Sequence, residues 1–332
     1  MKSLALQLPI FSKQTQMSRT AVVGSISITL MVISGSVYPV FGKQLTTAFS
    51  PLSLLFISEM MGGLFVLMSF GLLPLVRKVK TLNRSHCHSL VAMGILSGVI
   101  SPYLWFKGLL HTTAVNAELF SRSEMIFMIF LSVIILHEKI SKKQILPLIV
   151  ILAGVLFVAL KGFTVGIDMG KGDVLIVLSA VTYAFGSVIV KKNLNDVHPE
   201  LIILARAGCA TAFFVCVSPF VTHNLITELS TMPSNLFVAL LAYGFIAKFL
   251  GIYSFHEAIE TLKVSTVSIF STLSIIGGIT FAALYLGEQI HQYHIIGTVF
   301  IVLGVIMMQR AGLHANKAVH EHHIRQHHRN NL

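Results

Sequence analysis

The chain is 332 residues long, 55% hydrophobic and only 11% charged, with a mean hydropathy of +0.82. Soluble domains carry about 25% charged residues; so little polar surface cannot wrap a core this apolar, and the solvent must be lipid. Three cysteines with no Cys-x-x-Cys pair argue against a disulfide framework or a zinc ribbon, and the net charge of +11 sits mostly in short loops between apolar runs, a pattern of membrane orientation rather than of nucleic-acid binding.

Residues 1–20 carry Lys2, Lys13 and Arg19 around a short apolar run interrupted by Gln7 and Pro9. A cleaved signal peptide is therefore not expected, and the segment reads as a cytoplasmic N-terminal stretch. Ten apolar runs follow, near 21–41, 51–76, 89–107, 114–136, 143–160, 173–190, 199–220, 235–256, 264–286 and 293–309. Each can cross about 30 Å of hydrocarbon as helix. Ser50-Pro51, Gly170-Lys171-Gly172, His198-Pro199 and Met232-Pro233-Ser234 punctuate them, and Ser141 with Gln144 reads as a capping box opening the fifth run.

Seventeen Lys and Arg lie at the termini and in the even-numbered connections, against four in the odd-numbered ones. The positive-inside rule then puts both termini in the cytoplasm. Arg122, Arg206 and Lys248 remain inside runs.

Residues 119–162 recur at 269–312 without a gap, with 12 of 44 positions identical, among them Phe120/Phe270, Glu138/Glu288, Gly154/Gly304 and Gly162/Gly312. The same offset pairs Gly94 with Gly244, Tyr103 with Tyr253 and Trp105 with Phe255; an offset of 148 pairs Lys43 with Lys191 and Pro51 with Pro199. Each copy holds five runs, an odd number, so the second copy must cross the membrane in the opposite sense. The expected architecture is an all-α membrane protein of ten transmembrane helices in two inverted five-helix repeats, 21–162 and 172–310, followed by a His-rich cytoplasmic tail, 311–332. Secondary transporters repeatedly use this plan, with the substrate near the midplane between repeats.

An ionisable side chain inside a span costs roughly 2.5–3.5 kcal/mol and needs a partner, water or a route to the headgroups. The fourth run holds Glu118, Arg122 and Glu124. Glu118 and Arg122 are spaced as a helical ion pair, which is either purely structural or the seat of binding. In the second reading Arg122 takes a substrate carboxylate or phosphate, while Glu118 or Glu124 holds a substrate cation or a coupling proton. The second copy has Ser268, Thr272 and Ser274 at the matching places, and Ser265, Ser268 and Thr272 form a hydroxyl stripe. Lys248 is either a second anion anchor or snorkels to the inner headgroups; Arg206 is expected to snorkel. Glu59 is expected to pair with another helix and is a further proton-coupling candidate. Tyr38, Tyr103, Tyr183 and Tyr253 are candidate cavity residues, whereas Trp105 reads as an interface anchor. Glu138 and Glu288 close the matched turns and are expected to order the helix that comes after each.

Two five-helix repeats, each with a fourth helix ending in a Leu-x-Glu turn (LHEKI at 136–140, LGEQI at 286–290) and a Gly-bearing fifth helix, resemble the EamA-type branch of the drug/metabolite transporter superfamily. His137 departs from the pattern where the second copy has Gly287. The resemblance implies an inner-membrane carrier that exports a small metabolite or drug by alternating access. It also implies a cavity lined by helices 1, 3, 4, 6, 8 and 9, with helices 5 and 10 peripheral.

No Walker A loop, His-Glu-x-x-His or Gly-x-Ser-x-Gly is present. The expected partners are a small-molecule substrate and the lipid bilayer, with no nucleic acid, no cofactor and no metal; a homodimer stays open. The alternatives are uptake by the same fold, a polytopic membrane enzyme or sensor, and a divalent-metal exporter using His314, His320, His322, His323, His327 and His328.

Overall fold

Helix starts are set by caps. The Ser50 hydroxyl accepts the Ser53 amide at 3.3 Å ahead of Pro51, while Asn83 and Thr113 accept the amides of His86 (2.7 Å) and Asn116 (3.0 Å). A first-turn amide has no intrahelical acceptor, so these side-chain oxygens favour the point at which each run begins.

The computed structural model describes residues 9–138, 142–163, 169–221, 224–251, 253–254, 258, 267 and 270–330; for 9–22, 163 and 312–330 the backbone alone is described. All secondary structure among the described residues is helical. In chain order it comprises α1 (Val23–Leu45, continuing a helix that begins at Pro9), α2 (Pro51–Phe70), α3 (Leu72–Lys80), α4 (Arg84–Leu109) and α5 (Ala114–Leu136). Then come α6 (Lys142–Ala159), α7 (Lys171–Asn193), α8 (Pro199–Phe220), α9 (Leu225–Thr231), α10 (Ser234–Leu250), α11 (Leu273–Leu286) and α12 (Gln292–Ala311, continuing to Asn330).

Eight of these are long and apolar enough to cross a membrane: α1, α2, α4, α5, α6, α7, α8 and α12. The pair α9 and α10 would make a ninth but bends by 117°, and α11 is a shorter apolar helix. The missing length of the ninth expected run, and the capping box at Ser141, fall outside the described residues. Side chains on the outside of the bundle are apolar where lipid would meet them: Met68, Leu284 and Phe220 are 78%, 82% and 88% exposed.

The two copies share their irregularities. α4 contains a π turn at Gly94–Ile100 and α10 one at Tyr243–Leu250, 149 to 150 residues apart. α5 is interrupted at Arg122, and Thr272 breaks the helix at the matching place before α11. α5 ends at His137 with φ 54° and α11 at Gly287 with φ 69°. In each, the next residue's amide reaches back six positions, Glu138 to the Ser132 carbonyl (3.3 Å) and Glu288 to the Ala282 carbonyl (3.4 Å). That is a Schellman cap, so His137 reproduces the left-handed conformation in spite of its Cβ.

Reciprocal contacts fix how the copies are related. A Cβ on Gly154 would meet Ile301 Cγ1 at 2.8 Å, the Gly297 carbonyl at 2.9 Å and the Ile301 amide at 3.0 Å. One on Gly304 would meet Ile151 Cγ1 at 2.6 Å, the Ile151 amide at 2.9 Å and the Pro147 carbonyl at 3.1 Å. Partners exchange under the 150-residue offset, as two-fold rotation requires. Glu288 lies at the Ala114 end of α5 and Glu138 at the Leu136 end, about 35 Å apart along a 23-residue helix. Equivalent residues at opposite ends of one helix make the repeats inverted. Because backbone atoms line both glycine contacts, Gly154→Ala and Gly304→Ala are each expected to cost ~1–3 kcal/mol. Thermal unfolding in detergent should show both losses, of similar size.

Candidate functional site

Between the repeats lies a cavity of ≈ 940 Å³. α1 contributes Met31, Ser34, Gly35 and Tyr38 to it; α4 contributes Ser101, Pro102 and Trp105; α5 gives Glu118, Ser121, Arg122, Glu124, Met125 and Met128. α7 adds Ser179, Tyr183 and Ser187, α8 adds Ile202, Ile203 and Arg206, α10 adds Ala247, and Ser271 and Ser274 flank the Thr272 break. Among the described residues α6 and α12, the fifth and tenth runs, supply nothing to the lining, as the family resemblance implied, but α8, the seventh run, does, which it did not.

The cavity runs to Leu194, Asn195, Val197 and Pro199 at the α7–α8 loop, the end where Lys191 meets Glu138 (2.7 Å) and Lys78 meets Glu200 (2.5 Å). Towards the other end, the Tyr38 ring lies 5.4 Å from Trp105 and 5.5 Å from Tyr243, with Phe106 6.2 Å beyond Tyr243. Phe106, Tyr243 and Trp105 are buried. Past this plug the Glu288 carboxylate accepts the Ala114 amide (2.7 Å) and the Val115 amide (2.9 Å), and Tyr285 donates to Gln44 (3.1 Å). Glu288 therefore caps α5 of the opposite repeat rather than ordering the helix after its own turn, because the unpaired first-turn amides of α5 face it.

Two charge clusters reach the cavity. In one, Glu59 of α2 accepts from Arg206 Nε (3.1 Å), Arg206 Nη2 (2.7 Å) and Lys248 Nζ (2.9 Å). Lys248 also lies over the Tyr38 and Tyr243 rings at 5.5 and 5.9 Å, and Arg206 over Tyr183 at 5.9 Å. Gly98 makes the room: a Cβ there would stand 2.8 Å from Arg206 Cα. In the other cluster, Arg122 pairs with Glu118 as the spacing predicts, and Glu124 faces the cavity with no hydrogen bond or ion pair among the described residues.

Several expected placements change. Arg206 does not snorkel, and of the two readings left open for Lys248 the snorkelling one falls; a buried carboxylate holds both, and a charge-assisted bond inside the bundle outweighs a stretch to the headgroups. Glu59 pairs across helices as expected, but with two cations on two helices. Tyr103 packs on Phe213 at 6.5 Å and Tyr253 is 49% exposed beside Phe249; neither lines the cavity. Each comes after a π turn, whose inserted residue rotates the downstream part of the helix by about 100°. Trp105 is 5% exposed and part of the plug rather than an interface anchor. Thr272 is buried off the cavity because the helix breaks there, leaving Ser271 and Ser274 to face it. Ser265 and Ser268 lie outside the described residues, as do the side chains of the six tail histidines; among the described residues no group of three or more His, Cys, Asp or Glu could hold a metal. Tyr38, Glu118, Arg122, Glu124 and Tyr183 stand in the lining as expected.

A family model described as the EamA-like transporter family matches residues 22–160 and again 170–310. An uncharacterized transporter of Bacillus subtilis (strain 168), YyaM, is 26% identical over 232 residues, 68% of this chain and 74% of its own. An uncharacterized transporter of Clostridium kluyveri is 26% identical over 302 residues, 88% of this chain and 95% of its own. A crystal structure described only as that of a protein superposes on 91% of this chain and 99% of its own with a TM-score of 0.58 at 16% identity, a likeness of fold.

Proposed function

The chain belongs to the EamA-like transporter family, and on that premise we propose that it exports a small metabolite, amino-acid-like or drug-like, across the cell inner membrane by alternating access. It is a multi-pass membrane protein of a family that moves small molecules; direction, substrate and coupling are our reading. The observation that carries it is the ≈ 940 Å³ cavity on the seam of two inverted repeats, lined by both and blocked at one end by the Tyr38–Trp105–Tyr243 plug. A polar cavity between halves related by two-fold rotation, with aromatic rings packed at one end of it, is what a rocking carrier needs.

In this reading the chain crosses ten times with both termini in the cytoplasm. The cavity mouth lies at the end bearing Lys78, Arg84, Lys142 and Lys191, the cytoplasmic end under the positive-inside rule. Solute would load there, which favours export. Glu124, the carboxylate in the lining without an ion-pair partner, is the leading proton-coupling candidate, ahead of Glu118 and Glu59, each of which already holds a cation.

Counterflow of labelled metabolites in proteoliposomes, with and without a proton gradient, tests the carrier. Accumulation of at least one solute is expected; a panel that moves nothing would reject it. The exposed Cys87 at the α4 start tests orientation. It should resist an impermeant maleimide in intact cells and react once the membrane is opened, and labelling from outside would reverse the direction of loading.

A further inference from the structure

The cavity charges are not evenly paired. Around Glu59 two cations share one carboxylate, Arg206 through two nitrogens and Lys248 through one, and all three side chains are largely removed from solvent, at 4%, 15% and 8% exposure. That cluster carries a formal surplus of one positive charge. Around Arg122 the arithmetic reverses: Glu118 already takes the guanidinium, and Glu124, within its field, is left over. This second cluster carries a formal surplus of one negative charge. Tyr183 lies between them, its ring 5.9 Å from the Arg206 guanidinium and its hydroxyl within the field of Glu124.

Pseudo-symmetry shows that the polarity is a property of this chain rather than of the scaffold. Under the repeat offsets Arg206 corresponds to Ser58 and Lys248 to Gly98, while Arg122 corresponds to Thr272 and Glu124 to Ser274. The positions of Tyr183 and Glu124 themselves are repeated as Gly35 and Ser274, and a Cβ on that glycine would stand 2.8 Å from Ser274 Cβ. One side of the seam is small and neutral, and the other carries the dipole.

Resting on the carrier reading, we propose that the solute is a small zwitterion, its anionic group held by Arg206 and its cationic group by Glu124, with Tyr183 between them. Arg206, rather than Arg122, is the anion anchor. Its cluster holds two cations on one carboxylate, and Glu59 takes its Nε and Nη2 but not its Nη1, whereas Arg122 is a single cation serving two carboxylates, Glu118 and Glu124. A guanidinium edge matches a carboxylate or phosphate, and a bare carboxylate in a low-dielectric hollow favours an ammonium. The apolar body of the solute would lie against Met31, Met125, Met128 and Ile203, on side chains that adapt to shape.

The chain has one tryptophan, Trp105, and it lines the cavity, so its fluorescence reports occupancy directly. The probes are triads that differ in charge alone: leucine, leucinamide and N-acetylleucine, with the matching glycine, threonine and methionine sets. Each is titrated against Trp105 fluorescence and run in counterflow. At least one zwitterion is expected to bind and move, with its amide and its N-acetyl form about 10- to 100-fold weaker, the loss of one charged hydrogen-bonding group. Arg206→Gln leaves Glu59 paired with Lys248 and should turn the preference towards the amide. Glu124→Gln should turn it towards the N-acetyl form. Both are ratios within one variant, so a general loss of folded protein cannot imitate them.

Equal binding of the three forms by the parent, no binding of any zwitterion, or unchanged ratios in both variants would overturn the proposal. Counterflow of singly charged or neutral solutes alone would sink the zwitterion and leave the carrier standing. Counterflow of nothing, with zwitterions still bound by the charge rule, would sink the carrier and keep the site.

Discussion

Glu59→Gln should lower the melting temperature of the purified protein by about 10 °C, the largest effect expected of any single charged substitution in this chain. The change keeps the shape of the side chain and removes its charge, so it opens no void. It leaves Arg206 and Lys248, both largely out of solvent, facing each other with no anion between them. Removing one partner of a buried pair costs ~3–5 kcal/mol because the remaining charge is uncompensated. At about 2–4 °C per kcal/mol that becomes the stated shift. Arg206→Gln is the control, since Glu59 keeps Lys248 at 2.9 Å and a neutral pair survives; its shift should be less than half as large. Replacing Glu59, Arg206 and Lys248 together by leucine and methionine should restore stability while ending solute binding, because a dry apolar cluster of similar volume has no charge to solvate. A Glu59→Gln protein that melts within two or three degrees of the parent (on the order of 1 kcal/mol by the same conversion) would mean that water or an ion already compensates the cluster.

That cluster also shows how far the sequence could be read. The repeat, the inverted plan and the Glu118–Arg122 ion pair of α5 came from the internal sequence match, odd span count and i,i+4 spacing, and half of the lining candidates from residue type and depth, which are local quantities. The Glu59–Arg206–Lys248 contact joins residues 147 and 189 positions apart on three helices. Depth alone recommended snorkelling for Arg206, and nothing in one sequence says which buried carboxylate a cation will find. A signal was nonetheless present: under the 150-residue offset Lys248 corresponds to Gly98, the glycine that a Cβ would drive into Arg206. The misplaced tyrosines have a different cause. Tyr103 and Tyr253 are candidates by residue type and by the helix they stand on, with no phase assigned, and a π turn breaks the 3.6-residue period just before each of them. Residues after a π turn cannot be phased from those ahead of it. Thr272 failed for the same reason at a smaller scale, one broken turn moving the polar face to Ser271 and Ser274.

Glu288→Ala should loosen the blocked end of the cavity, and Glu138→Ala should not. The two glutamates are equivalents under the repeat, yet they do different things in this conformation. Glu288 accepts two backbone amides at the start of α5 in the other repeat, whereas Glu138 meets Lys191, with both side chains about half exposed. Losing a carboxylate that satisfies first-turn amides costs ~1–2 kcal/mol, and Ala114 and Val115 are buried in the protein, so their amides find no ready substitute. Losing an exposed pair costs ~0–1 kcal/mol. A change of 1–2 kcal/mol moves a two-state population by about 5- to 30-fold, here away from the conformation in which the Glu288 end is shut. The readout is a single cysteine at Ser274, in a background where Cys87, Cys209 and Cys216 have been replaced, probed with an impermeant maleimide from the Glu288 side. Labelling should be slow in the parent and with Glu138→Ala, and faster by about 5- to 30-fold with Glu288→Ala. Equal rates in all three would mean that the aromatic plug of Tyr38, Trp105 and Tyr243 holds that end shut unaided. The two-fold relation gives the difference its meaning: identical turns would act identically if the halves were in the same state, so a large asymmetry between equivalent substitutions measures how far one half is displaced from the other.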